Sequence, residues 1–82
     1  MKHELEVGQL FEVVDPRATT SRDSPNGPII RLCGKIFQII EIHKHGTTVR
    51  LLDPEDAYVG EAWSTDWIRS PNNTRILGVK HE

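Results

Sequence analysis

His43-Lys44-His45 places two imidazoles two residues apart. On a regular strand, positions i and i+2 share a face, so both rings could reach one metal ion. A zinc site needs further ligands, and the chain offers only Cys33, His3 and His81, at no established zinc spacing. The pair therefore reads as two solvated turn histidines, and no metal is assigned. Asp53, Glu55, Asp56, Glu61 and Asp66 form an acid-rich stretch. Two carboxylates do hydrolytic acid–base work only when they face each other across a substrate cleft, and a domain this small has little room for one. No G-x-S-x-G, phosphate-loop or dinucleotide fingerprint is present, so neither a catalytic residue nor a cofactor is assigned. Asn72-Asn73-Thr74 matches the glycosylation triplet, but it reads as a turn.

The remaining side chains with strong chemistry are one thiol and the large aromatics. Cys33 is the chain's single cysteine, so it cannot form an internal disulfide, and its apolar neighbours predict a buried, inert thiol. Trp63 and Trp67 read first as core, one sealing the domain and the other covering an end. One of them standing exposed beside Tyr58 would instead anchor a partner, because Trp, Tyr and Arg dominate interface hot spots. Arg17 and Arg22 could add contacts to a carboxylate or phosphate. The residues expected to meet a partner are Arg17, Arg22, Asp23, Tyr58, Trp63, Trp67 and Arg69.

Eighty-two residues make one domain. The hydrophobic fraction is 37% and the charged fraction 27%, enough for one small core and against disorder throughout. Net charge is −2, which disfavours nucleic acid, since phosphate contacts need a basic footprint. Such a role would require Lys35, Lys44, Arg50, Arg69 and Arg75 to cluster on one face. No run approaches the ~20 apolar residues of a membrane span, and the N-terminal residues lack a secretory leader's apolar run, which predicts a cytoplasmic protein.

These side chains must be positioned by strands. Residues 34–53, GKIFQIIEIHKHGTTVRLLD, read as a hairpin. Residues 35–43 are rich in Ile and Phe, and 47–52 alternate with period two. Lys44-His45-Gly46 fits a three-residue loop in which Gly46 supplies a positive φ. Residues 7–15 make the first strand, with Phe11 and Val13 on one face and Leu10, Glu12 and Val14 on the other. Residues 17–28 form a long loop rich in turn formers. Residues 29–32 are a short strand or return segment, 53–56 a turn, and 57–63 a strand with a bend or bulge at Gly60. Ser64 is the expected N-cap of one helical turn reaching Ile68, with Trp63 and Ile68 as a hydrophobic staple. Residues 74–79 make a last strand, with Ile76 and Leu77 inside; 1–6 read as a frayed end or a lead-in, and 80–82 as a frayed tail.

This order of elements resembles the Src-homology-three-like small β-barrels, which include KOW and Tudor domains. The likeness rests on Val7-Gly8 leading into Phe11-Glu12-Val13-Val14, then residues 34–42, then Thr48-Val49-Arg50-Leu51, and residues 63–68 before the last strand. It implies an all-β, five-stranded antiparallel barrel with a short helical turn before the last strand. Peptide-binding members line a groove with aromatics from the first loop, whereas residues 17–28 contain none. Tudor-like members hold a methylated side chain in an aromatic cage by cation–π attraction, to which Tyr58, Trp63 and Trp67 could contribute. KOW-like members imply RNA or the transcription machinery. The expected function is a non-enzymatic protein-binding module, of the size of a small phage or mobile-element regulator or inhibitor, with self-association through a sheet edge as a further possibility.

Overall fold

Alternation along the strands decides which side of the sheet becomes the core. In the computed structural model, residues 2–20, 30–52 and 55–79 are described, with the backbone alone at Thr20, Ile30 and 55–58. The elements run β1 (Gln9–Val13), β2 (Thr19–Thr20), β3 (Ile30–Arg31), β4 (Ile36–His43), β5 (Gly46–Leu52), β6 (Glu55–Trp63), α1 (Thr65–Arg69) and β7 (Thr74–Val79). In β1, Phe11 and Val13 are buried while Leu10 and Glu12 face outward; in β5, Thr47, Val49 and Leu51 are buried and Arg50 faces outward.

Five strands form one antiparallel sheet in the order β6-β5-β4-β1-β7, with β2-β3 as a separate two-stranded ribbon. The last strand thus pairs with the first, through Gln9↔Val79, Phe11↔Ile76 and Val13↔Thr74. Register shifts interrupt the ladders between Leu10 and Phe11, between Ile39 and Glu41, and between Thr47 and Val49. Each adds twist and curl. The expected five antiparallel strands and short helix are present, but the sheet is not closed: among the described residues β6 and β7 remain its edges. The apolar face that closure would seal is covered instead by Ile68 of α1 and by Ala18 and Leu32 flanking the β2-β3 ribbon. These pack into one cluster with Phe11, Val13, Phe37, Ile39, Val49 and Leu51.

Several local expectations change for identifiable reasons. The β4-β5 hairpin pairs His43 with Gly46, leaving a two-residue turn, Lys44-His45. Gly46 lies in the strand without a positive φ; the positive-φ glycines among the described residues are Gly8, Gly34 and Gly78. β6 begins at Glu55, inside the stretch expected to be a turn. Leu77 is exposed rather than internal, because the β1-β7 bulge falls on it and only Ile76 packs inward. Cys33 is exposed, not buried: Leu32 takes the core position and the chain turns at Cys33-Gly34, with Gly34 at φ +81°. Of the two expectations for residues 1–6, frayed end or lead-in, the contacts of His3 fit the lead-in. Its amide donates to the Arg69 carbonyl (2.8 Å), Arg69 Nε donates back to the His3 carbonyl (3.0 Å), and His3 Nε2 donates to the Thr74 carbonyl (3.0 Å).

Candidate functional site

A row of aromatic rings leads from the core to the surface. Phe11 and Phe37 stack at 5.7 Å between centroids, Phe37 meets Trp63 at 4.9 Å, and Trp63 meets Trp67 edge-to-face at 5.9 Å and 87°. Edge-to-face and offset geometries match the ring quadrupoles and add about 0.5–1.5 kcal/mol per pair beyond area burial. The phenylalanines are fully buried, whereas both indoles are half-buried. The sequence offered a choice between core and contact surface; the tryptophans are partly each.

Their placement follows from two local devices. Across from β5, Thr47 pairs with Trp63 and Val49 with Gly60, so β6 carries an extra residue over this span, a bulge just after Gly60 as expected. Thr48 Oγ1 donates to the Glu61 carbonyl there (3.0 Å). A bulge re-aims the side chain that follows it, and here that side chain is Trp63. Ser64 then starts α1: its Oγ accepts the Trp67 amide (3.2 Å), one of the donors that a helix start leaves unpaired. The far end of the turn is fixed by Ile68, which is buried, and by Asn73 Nδ2 donating to the Trp67 carbonyl (3.1 Å). Thr47 and Thr65 join the helix to β5 through a 2.8 Å hydroxyl pair.

Between the indoles and the ribbon lies an open groove of about 340 Å³, lined among the described residues by Thr19, Leu32, Trp63, Ser64 and Trp67. The ribbon is held at its base by Thr19↔Arg31, and by the Leu32 amide donating to the Ala18 carbonyl (3.1 Å). Asp15 organises the approach to it. Its Oδ1 accepts the Arg17 amide (2.9 Å), and that bond, aided by the Arg17 side chain at 3.4 Å, holds the carboxyl below its ordinary value. The groove is at the low end of the roughly 300–1,000 Å³ seen for ligand pockets. Its lining offers apolar walls and two hydroxyls, with no thiol, imidazole or carboxylate among the described residues.

Of the residues expected to meet a partner, Trp63 and Trp67 come together at this groove. Arg17 is exposed at the turn before β2, on the approach to the same ribbon. Arg69 is instead occupied by the His3 carbonyl. Arg22 and Asp23 lie outside the described residues, and Tyr58 is described only as backbone in β6. Leu32 and Thr19 escaped the sequence reading; the nearest signal was that residues 29–32 would pack back on the core.

The other constellations separate. His43 Nε2 lies 3.0 Å from Glu41 Oε2 and 3.1 Å from Thr48 Oγ1, while His45 sits in the turn. No group of three or more potential metal ligands occurs among the described residues. Glu61 and Asp66 are both exposed. Arg50 donates to Gln38 Oε1 (2.7 Å) and Arg75 pairs with Glu12, so with Arg69 three of the five candidate phosphate-binding cations have internal partners. No helix among the described residues is long and apolar enough to cross a membrane. Comparison with known proteins returns no matching family model, no matching curated protein and no matching solved structure.

Proposed function

We propose that this chain is a non-enzymatic protein-binding module that receives an apolar side chain of its partner in the groove between Trp63, Trp67 and Leu32. The observation that carries the reading is the pair of half-buried indoles fixed edge-to-face at the rim of a preformed apolar slot. Rigid aromatic anchors in a pocket are where interface energy concentrates. The order of the elements supports placing the fold beside the Src-homology-three-like small barrels, as a form whose sheet is left open. Nucleic acid is the weaker reading, because Arg50, Arg69 and Arg75 are engaged internally and the net charge is −2.

The test is affinity purification from host lysate with the full chain and with Trp67→Ala, each checked for folding by circular dichroism. The expected result is a specific protein enriched by the wild-type chain and lost from the variant. Equal recovery by both chains, or co-purification of nucleic acid in place of protein, overturns the reading.

A further inference from the structure

Ser64 lines a second cleft, about 500 Å³, as well as the apolar slot; the second is lined by Lys44, His45, Thr65 and Asp66 among others. The β4-β5 turn is pressed against this end of the molecule by Gly46. A Cβ at that position would lie 3.1 Å from the Trp63 carbonyl oxygen and 3.2 Å from Ala62 backbone atoms. Lys44 and His45 are thereby held beside the start of α1.

The charges in this second cleft are unequally engaged. Asp66, the one acid of its described lining, has Lys2 Nζ at 3.7 Å. The Thr47 and Thr65 hydroxyls satisfy each other. Lys44 has no ion pair with any described residue, and the His45 ring adds a second nitrogen donor at the same turn. The apolar slot thus shares Ser64 with a cleft that carries Lys44 and His45, while the one acid of that cleft's described lining, Asp66, faces Lys2. Complementary charge chiefly sets selectivity and encounter rate at such a rim.

We propose that the partner segment is an extended peptide carrying an apolar anchor for the Trp63/Trp67 slot and, nearby in its sequence, an Asp or Glu whose carboxylate meets Lys44 and His45. This rests on the reading of the slot as a protein-docking site.

The experiment is selection of a displayed random 12-residue peptide library on the immobilised full chain, repeated on Lys44→Glu and on Trp67→Ala. Binding of the recovered peptides is then measured by fluorescence anisotropy at low salt. The expected wild-type winners pair an apolar anchor with a nearby acidic residue. Lys44→Glu should weaken them about five- to tenfold, since an exposed attraction is replaced by a repulsion, and should select peptides with Lys or Arg at the acidic position. Winners with an apolar anchor and no acidic bias, unchanged by Lys44→Glu, overturn this inference and leave the docking slot standing. Winners indifferent to Trp67→Ala, or a self-associated chain that Trp67→Ala returns to monomer in sedimentation, overturn both.

Discussion

Replacing Gly46 tests whether close packing or backbone conformation selects glycine there. An added Cβ would meet backbone, the Trp63 carbonyl oxygen at 3.1 Å and Ala62 at 3.2 Å, and backbone in a paired strand has little freedom to retreat. Overpacking of this kind costs about 1–3 kcal/mol. Against it, alanine restricts the unfolded chain and returns about 0.4–1 kcal/mol. Gly46→Ala should therefore lose about 1 kcal/mol, a fall in Tm of about 4–8 °C for a domain of this size. Gly46→Asn should lose more, because its extra atoms extend the same clash. Gly34 is the opposite case: φ is +81° and nothing lies within 4 Å of an added Cβ. There asparagine, which tolerates the left-handed region, should be milder than alanine. Thermal melts of the four variants suffice. If Gly46→Asn is as stable as Gly46→Ala, or more so, the close-approach argument is wrong.

Other expectations follow from single contacts. Ser64→Ala removes the cap on the Trp67 amide and should cost about 0.5–2 kcal/mol in denaturant unfolding, with the slot loosened and peptide affinity reduced. Ile68→Ala empties a fully buried site and should cost about 2–5 kcal/mol by the same assay. Asp15 is held below its ordinary value by the Arg17 amide. Its contribution to stability is thus present above the unfolded carboxylate range and is lost as pH falls through the lower folded value; an NMR titration of Asp15 should show the depressed midpoint. Arg69→Ala should speed hydrogen exchange at the His3 amide well beyond its effect at core amides, as a local unlatching of the N-terminal segment.

Local rules made much of this chain legible. The strand at Thr74–Val79 follows from its flanking turn residues, the inward set Phe11, Val13, Val49 and Leu51 from period-two alternation, and the capped turn after Ser64 from side-chain chemistry. What escaped depends on contacts distant in sequence. Gly46 signals a turn when read with its neighbours, but its requirement comes from Trp63, seventeen positions on. His3 reads as part of a polar tail until Arg69 and Thr74 lie beside it. Cys33 sits among apolar residues in sequence, yet it is exposed while the adjacent Leu32 is buried. Sheet closure depends on small register shifts in three of the four ladders, of which only the one after Gly60 has a residue type to announce it. The groove has the same origin: Thr19 and Leu32 become its wall only because the ribbon's base folds across to the indoles.

The chain's only two tryptophans both stand at that wall, in edge contact. Nature has therefore left a dye at the door. Excitation at the red edge of indole absorbance interrogates this one spot and nothing else, so emission colour and quenching should register an arriving guest without any label, at concentrations where heat or mass signals are faint.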